Sequence, residues 1–358
     1  MLKILHIAPQ NYAGVPYSFF QMHNFMGDSS RLITLHKNPT NFPEDICLEL
    51  PLPDFALAKM WRKKKVERSE QSIKVSAHFF KPKNIFENFY FRFNDLLRKR
   101  IIDEALKKYN LNEYDIIHYD SGLDFFRDSS QALKWKKAGK KIVCCYYGSD
   151  LRIRGIIKQL DEISDLNITS EYDHLKLKKD LHYLFYPYDP SELPERIPSY
   201  YDEISIVHSP TNRKYKGTEL ILSVIDKIQS EKKIKFFLLE KLNRREVLEI
   251  KSKCDIAIDQ VGGTMGGTGY GKSGLETLAM GIPTITNMTE DYEKWLPENP
   301  FVVANDFKGL YQKLHELIED AELRKEVGEK GKIWVSKYHG YEQVNNSLKE
   351  LYKLKNII

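Results

Sequence analysis

The 358-residue sequence has few cysteines and no long hydrophobic run. There are only four cysteines, none in a C-x-x-C pair, and the adjacent Cys144 and Cys145 lie in an apolar stretch, which indicates buried, reduced thiols. No run of about 18 apolar residues gives a transmembrane-helix signal. Lys3, His6 and Pro9 interrupt the N-terminal MLKILHIAPQ, so we interpret it as a first strand, not a signal peptide. These features predict a cytoplasmic protein.

The composition is that of a globular protein, with 42% hydrophobic, 29% charged and 12% aromatic residues. It excludes a disordered chain, a collagen-like repeat and a disulfide-stapled miniprotein. At about 150 residues per domain, the length predicts about two domains.

Short apolar runs rich in Ile, Val and Phe alternate with longer amphipathic segments. The pattern predicts strands at Lys3–Ala8, Arg31–Leu35, Asp115–Tyr119, Lys141–Tyr147, Glu203–His208, Lys235–Leu239, Asp255–Asp259, Pro283–Thr286 and Phe301–Val303. Helical patterns cover Phe91–Tyr109, Thr218–Gln229, Arg244–Lys253 and Ser273–Met280. Buried strands separated by helices are typical of parallel sheets. The proline-dense segment at 186–201 predicts an inter-domain linker near residue 200.

Charge is concentrated in one segment. The net charge is +5, but Lys59–Lys108 holds 15 Lys or Arg against 6 Asp or Glu. The same segment contains an aromatic cluster formed by Phe79, Phe80, Phe86, Phe89, Tyr90, Phe91 and Phe93. Cations beside rings suit an anionic membrane surface, which we predict as a partner of residues 59–93. A solvated basic helix face beside an ordinary aromatic core is the alternative. Nucleic acid is disfavoured because no recognisable binding motif accompanies the charge.

A glycine-rich stretch, DQVGGTMGGTGYGKSGLETLAMGIP, follows the strand that ends near Asp259. It contains six glycines before a helix that we expect to begin near Ser273. Glycines allow close backbone approach, and a helix start offers free N–H groups, so the stretch predicts a seat for a diphosphate. We interpret it neither as a nucleotide-hydrolysing P-loop nor as the dinucleotide fingerprint.

Glu276 has two interpretations. Its spacing from Ser273 predicts a capping box at the helix start, which the residues alone favour. Alternatively, its two carboxylate oxygens can accept both hydroxyls of a ribose.

A second loop, HSPTNRKYKGT, follows the strand that ends at His208. It carries Arg213 and Lys216 just before a helix, for which we expect Thr218 as N-cap. An arginine fork and a lysine charge suit phosphate oxygens, although a plain surface loop would also contain such cations. Two such loops at successive strand ends of one domain strengthen the prediction of a phosphate site.

These motifs resemble the family-4 retaining glycosyltransferases of the GT-B fold. The resemblance rests on H-S-P-T-N-R-x-x-K-G-T, D-Q with the glycine-rich loop, G-Y-G-x-x-x-x-E and the L-A-M-G-I-P helix exit, and on the tail near 322–343. In the N-terminal half it rests only on the glycine turn at Asn11–Gly14 and on GSDLR at Gly148–Arg152. The resemblance implies an α/β fold of two Rossmann-like domains whose parallel sheets face a cleft. An acceptor domain would span 1–200, joined by a C-terminal helix at 340–358, and a nucleotide-sugar domain would span 201–339.

The resemblance also implies a function. The protein would move a sugar, with retained configuration, from a nucleotide-diphosphate donor to a glycan or lipid-linked acceptor in cell-surface polysaccharide or glycoconjugate synthesis. It would need no metal and no cofactor. The cysteines and the basic, aromatic segment at 59–93 add the expectation of a cytoplasmic protein that attaches peripherally to the inner face of the membrane. Arg213 and Lys216 would hold the donor phosphates and Glu276 the ribose. The remaining donor-binding residues implied are Gly14, Gly269, Tyr270, Gly271, Ser273 and Gly274.

Two positions depart from the family pattern. Thr268 stands where a first glutamate is common, and Tyr147 stands where a histidine often precedes Gly-Ser-Asp. Candidates for the reacting groups are therefore Asp150, Tyr147 and His118, although a histidine in an apolar strand is more often a core residue. The departures leave open a catalytically silent donor-binding or partner subunit. A sugar-nucleotide epimerase is the third possibility.

Overall fold

The computed structural model describes residues 1–38, 42–51, 77–82, 85–197, 200–262 and 269–358. The chain divides into two compact units. Unit 1 contains Met1–Pro187 and Tyr341–Ile358, and unit 2 contains Tyr188–Gly340. Residues 188–200, assigned by sequence to the first domain, therefore lie in unit 2. They are held there by backbone bonds such as Tyr188 N–H to His339 O at 2.8 Å and Ile197 N–H to Ser252 O at 3.0 Å.

Unit 1 is built on a seven-stranded parallel sheet of order β3-β2-β1-β4-β5-β6-β7. Its strands are β1 Lys3–Ala8, β2 Ser29–Thr34, β3 Ile46–Cys47, β4 Ile116–Asp120, β5 Lys141–Tyr146, β6 Leu166–Thr169 and β7 Leu181–Tyr183. Its helices are α1 Val15–Phe25, α2 Ile85–Lys108, α3 Ser130–Lys137, α4 Lys158–Ile163, α5 His174–Leu177 and, at the C-terminus, α13 Tyr341–Leu354. The first six strands, in order 3-2-1-4-5-6, have the Rossmann arrangement.

The central strands of unit 1 are buried on both faces. Alternate residues of β1 and β4 enter two different cores, so that Leu5 and Ile117 pack on one face while Ile4 and Ile116 pack on the other. The second core is completed by α13, which contributes Val344, Leu348 and Tyr352. Burial on both faces explains why these strands are continuous apolar runs in the sequence.

Unit 2 is built on a five-stranded parallel sheet of order β12-β11-β10-β8-β9. The strands are β8 Ile204–His208, β9 Ile234–Leu238, β10 Ile256–Gln260, β11 Thr284–Thr286 and β12 Val302–Val303. The helices are α6 Arg213–Lys216, α7 Thr218–Glu231, α8 Arg244–Lys251, α9 Lys272–Ala279, α10 Glu290–Trp295, α11 Phe307–Glu319 and α12 Ala321–His339. Numbered within the unit, the strand order is 2-1-3-4-5, which is the flavodoxin-like order.

The predicted α/β class with parallel sheets is confirmed. The nine predicted strands and four predicted helices all exist, with ends shifted by up to six residues, the largest shift being the start of α2 at Ile85 instead of Phe91. The short strands β3, β6 and β7 were not predicted, because two to four residues give no periodicity to detect. Among the described residues, no helix has the length and apolarity that a membrane crossing requires.

Candidate functional site

The strand order of unit 2 places a ligand-binding position between β8 and β10. The chain leaves β8 toward β9 on one side of the sheet, and leaves β10 toward β11 on the other. In open parallel sheets, ligands bind beyond the carboxyl ends of the strands at such a switch point. The two loops singled out from the sequence start at His208 and Gln260, the last residues of these two strands.

The loop after β8 brings Lys216 to the end of β10. The single turn α6 is capped by Asn212, whose side chain accepts from Tyr215 N–H at 3.1 Å, and is closed by Gly217 at φ 66°. From its last position, Lys216 Nζ donates to Asp259 Oδ1 at 2.7 Å and to Gln260 Oε1 at 3.2 Å.

The expected N-cap of α7 was wrong. Gly217, not Thr218, occupies that position, because its left-handed backbone joins the two helices. The Thr218 hydroxyl instead bonds with Nε2 of His208 at 2.9 Å. That bond ties the start of α7 to the end of β8.

Asp259 and Gln260 connect Lys216 to the glycine-rich loop. The Asp259 side chain is fully buried, and its second oxygen accepts the Gly271 N–H at 2.7 Å. Burial raises the pKa of the Asp259 carboxyl, but the Lys216 ammonium and the Gly271 N–H outweigh that effect and hold the pKa below its usual value. The Gln260 amide donates to the carbonyl of Gly269. The D-Q pair thus fixes both the cation and the end of the loop.

Two glycines of this loop are required by close packing. A Cβ at Gly271 would lie 2.9 Å from Lys216 Nζ and 3.5 Å from an oxygen of Asp259. A Cβ at Gly269 would lie 1.8 Å from a ring carbon of Tyr292. A side chain at Gly269 would collide with the Tyr292 ring, and one at Gly271 would displace the Lys216 ammonium.

Helix α9 begins at this loop without a side-chain cap. Its N-cap residue is Gly271, and its first residue is Lys272. The predicted capping box of Ser273 and Glu276 was therefore wrong, because the box requires Ser273 as N-cap, and the N-cap of α9 lies two residues earlier than that. The first turn of α9 points its N–H groups and its positive dipole end toward the loop, as an anion seat requires.

Glu276 is held by two cations that the sequence reasoning missed. Arg244 donates to Oε1, and Lys251 Nζ donates to Oε2 at 3.0 Å. Burial raises the pKa of the Glu276 carboxyl, but the two cations outweigh burial and hold this pKa below its usual value. Lys251, only 2% exposed, also donates to the hydroxyl of Ser273 at 2.8 Å.

A signal for this cation pair exists in the sequence. Arg244 and Lys251 are seven residues apart in α8, so both lie on one face of that helix. Lys272 adds a third cation at the start of α9, with Nζ 6.0 Å from the ring centre of Tyr188. Burial, with a smaller contribution from Arg244, lowers the pKa of Lys272 to about 8.

The structure separates two predicted donor residues from this group. Arg213 is exposed, and its guanidinium binds Glu240 through two nitrogens, at 2.9 and 2.7 Å, and Glu219 at 2.9 Å. The ring of Tyr270 stacks on Phe301 at 4.7 Å. Its hydroxyl bonds with Nε2 of His339 at 2.9 Å. Thr268 lies outside the described residues.

Two predicted residues of unit 1, Gly14 and Asp150, follow the carboxyl ends of β1 and β5. Gly14, at φ 72°, is the N-cap of α1 after β1. Asp150 begins a π-helical turn after β5 and accepts backbone N–H groups of Tyr147 at 2.8 Å, Gly148 at 3.0 Å and Leu151 at 2.6 Å. These bonds give Asp150 a structural role in the turn.

Tyr147 and His118 belong to one buried polar cluster. The Tyr147 hydroxyl donates to Asp120, which also contacts His6 Nδ1 at 3.1 Å. His118 contacts the Tyr352 hydroxyl, and its ring centre lies 4.5 Å from that of His6. Burial, and then the nearby His6 and His23, lower the pKa of His118 well below its usual value, as in a core histidine. Asp120, the polar end of the apolar run IIHYD, was missed.

The sequence interpretation did not recognise that the glycine-rich stretch contains the spacing of two known phosphate motifs. Residues 266–273 read GGTGYGKS, which has the P-loop spacing, and residues 269–274 read GYGKSG, which has the dinucleotide spacing. The described contacts differ from both motifs, because the Gly271 N–H is taken by Asp259 and the loop follows the third strand of its unit rather than the first. Either spacing points to phosphate at the start of α9.

Comparison with known proteins gives the same fold. Residues 266–350 match the family described as "Glycosyl transferase-like". HepE from Anabaena, solved with UDP, is 11% identical over 98% of this chain and 100% of its own, with a TM-score of 0.59. A mutant of TarM from S. aureus, solved with fondaparinux, alpha-GlcNAc-glycerol and UDP, is 10% identical over 98% and 100%, with a TM-score of 0.59.

A third similar structure is the glycosyltransferase SnogD from Streptomyces nogalater. It is 14% identical, covers 98% of this chain and 99% of its own, and has a TM-score of 0.51. A search of curated proteins finds no match to the sequence. The predicted GT-B fold class is confirmed by these similarities together with the two parallel sheets.

Proposed function

We propose that this protein is a glycosyltransferase that moves a sugar from a nucleotide-diphosphate donor to a glycan or lipid-linked acceptor. The observation that carries the proposal is the convergence of Lys216 and the start of α9 on Asp259, at the switch point of unit 2. The match of residues 266–350 to a glycosyl transferase-like family supports it. UDP-sugars are the first donors to test, since HepE was solved with UDP-glucose.

The charges around α9 suit a diphosphate leaving group. Four cations, Lys216, Arg244, Lys251 and Lys272, lie near three carboxylates, Asp259, Glu276 and Glu192. This excess of positive charge adds to the positive end of the α9 dipole. Fixed positive charge stabilises a leaving group where its negative charge develops. We therefore propose transfer that is independent of a metal ion.

The proposed reaction breaks the bond between the anomeric carbon and the donor phosphate oxygen, and the electron pair leaves with the nucleoside diphosphate. The acceptor hydroxyl oxygen bonds to the same carbon on the face that the phosphate leaves, so the configuration is retained. Its proton passes to the departing diphosphate. Lys216 and the first turn of α9 hold the diphosphate, with Gly269, Gly271, Ser273 and Gly274 forming the wall beside it.

Glu276 is proposed to bind the donor ribose. Its carboxylate is already held in position by Arg244 and Lys251, so a ribose would meet a fixed acceptor. Arg213 remains a predicted phosphate ligand, and binding there requires it to leave Glu240.

Among the candidates for the reacting groups, we propose to test Tyr147 first. Asp150 uses both carboxylate oxygens in its own turn, and His118 bonds at Nε2 with Tyr352 and contacts Cys145 Sγ at 3.5 Å through Nδ1. Tyr147 instead pairs its hydroxyl with the Asp120 carboxylate. Tyr147→Phe removes that pair while keeping the ring, so it is the sharpest test of a role near the sugar.

The experiment is a thermal-shift screen with UDP-, GDP- and ADP-sugars, followed by nucleotide release from the stabilising donor with and without acceptor extracts. A ligand that binds the folded state raises the melting temperature. We expect one nucleotide series to do so in the wild type and to lose the effect in Lys216→Ala. Stabilisation without nucleotide release from any acceptor would support a silent donor-binding subunit, and no stabilisation at all would contradict both.

A further inference from the structure

Helix α2 of unit 1 exposes an apolar face to solvent. Seven large apolar side chains on it are exposed by 41% to 85% of their area: Ile85, Phe86, Phe89, Phe93, Leu96, Leu97 and Ile101. At 3.6 residues per turn, they fall within an arc of about 160° around the helix axis. Scattered apolar side chains are ordinary on a surface, but a continuous row over more than four turns marks an interaction site.

The opposite side of the same helix holds it in unit 1. Ile102 and Leu106 are buried in the core. The ring of Phe91 packs on Phe80, with centroids 5.8 Å apart, and Asp95 accepts the Arg127 N–H at 3.0 Å. Helix α2 therefore packs on unit 1 through this side, and the exposed apolar row is a separate face of the helix.

Cations accompany the exposed row. Five exposed cations lie on or beside it, namely Arg92, Lys99, Arg100, Lys107 and Lys108, against two acidic residues, Asp103 and Glu104. Arg100 pairs with Glu104 at 2.8 Å. Arg92 and Lys99 border the row on one side, seven residues apart. Long cationic side chains beside aromatic rings allow the rings to enter a lipid surface while the charges stay at the phosphates.

We propose that this face of α2 lies on the surface of an anionic lipid bilayer. The rings of Phe86, Phe89 and Phe93 insert at headgroup depth, and Arg92 and Lys99 pair with lipid phosphates. A second copy of the chain is the poorer occupant, because a symmetric contact would bring this surplus of positive charge against itself. The proposal goes beyond the proposed sugar transfer and does not depend on it.

The test is flotation of the full-length protein with vesicles, without any nucleotide or sugar. One vesicle set is phosphatidylcholine alone, and the other contains about one third phosphatidylserine, at low ionic strength. We expect the wild type to float with the vesicles that contain phosphatidylserine. The triple variant Phe86→Ser/Phe89→Ser/Phe93→Ser should remain in the bottom fraction. At about five-fold per cation, Arg92→Gln/Lys99→Gln should lower the vesicle partition coefficient by about 25-fold.

Matched controls separate surface chemistry from folding. Ile333→Ser, 67% exposed on α12 of unit 2, removes an equally exposed apolar side chain and should float like the wild type. Lys325→Gln/Lys330→Gln removes the same charge from α12. All variants should keep the wild-type melting temperature, since the substituted side chains are exposed. Failure of the wild type to float, or unchanged flotation of the triple serine variant, would overturn the proposal, as would a wild-type dimer that the serine variant dissociates.

Discussion

We predict that UDP binding depends on pH, because Lys272 at the start of α9 has a lowered pKa. Burial lowers its pKa to about 8, with Arg244 adding to that effect and Glu276 and Glu192 opposing it. A bound diphosphate favours the charged form, so it raises this pKa. Binding is therefore strongest where Lys272 is already protonated, below about pH 8, and weakens as the pH rises through that value.

The size of the effect follows from the pKa. A group with a pKa of about 8 is about nine-tenths protonated at pH 7 and about one-tenth at pH 9. The UDP affinity should therefore fall by up to about ten-fold, or about 1.4 kcal/mol, over that range. The terminal phosphate of UDP ionises near pH 6, so its charge is constant above pH 7.

The assay is isothermal titration calorimetry of UDP at pH 7, 8 and 9. Lys272→Arg is the control, because a guanidinium keeps its proton throughout this range. Its UDP affinity should stay constant, and Lys272→Met should bind more weakly at pH 7 without the slope. A flat profile in the wild type, or the same slope in Lys272→Arg, would refute the prediction that the Lys272 ammonium contributes to diphosphate binding.

Three further outcomes follow from the contacts in unit 2. Lys216→Ala should lower donor-dependent nucleotide release by about 100-fold or more, whereas Lys313→Ala, which removes a half-exposed lysine paired with Glu316 of its own helix, should not; equal rates would remove Lys216 from the site. Lys251→Met should destabilise unit 2 by about 3 kcal/mol in denaturant titrations, because it leaves the buried Glu276 carboxylate with Arg244 alone. Lys251→Met/Glu276→Leu should recover much of that stability. If the effects of the two substitutions simply add, the coupling between Lys251 and Glu276 is contradicted. Gly271→Ala should reduce UDP affinity and raise the KM for the donor, since its Cβ would press on the Lys216 ammonium. Unchanged UDP binding would contradict the need for glycine at this position.

The strands and loops of the site could be predicted because their signals are local. A strand buried on both faces must be apolar throughout, so runs such as KIVCCY and ISIVH stand out. In a parallel sheet, polar residues just beyond such runs must lie at one edge, and this placed Lys216 and the glycine-rich loop correctly beside each other. The sequence does not show which of these side chains contact each other, so Asp259 was recognised as the partner of Lys216 only in the structure.

The rest of the site could not be predicted because it depends on packing between distant segments. Lys251 looks like a solvent-facing residue of an amphipathic helix, and lysine is rarely buried. It is buried here because α8 packs where Glu276 can neutralise it. Glu276 itself fits a capping box by spacing, which the residues alone favoured, and the box is excluded only by the helix start at Lys272. Arg213 is the opposite case. Its guanidinium suits a phosphate, but in the structure it is bound to Glu240.

The central claim is that the first turn of α9, with Lys216, holds a nucleoside diphosphate. A crystal structure of the protein with UDP tests it most directly. We expect diphosphate oxygens within hydrogen-bond distance of the Lys272 or Ser273 backbone N–H and of the Lys216 ammonium. A diphosphate bound elsewhere in unit 2, with the contact between Lys216 and Asp259 intact and no phosphate at α9, would contradict the claim.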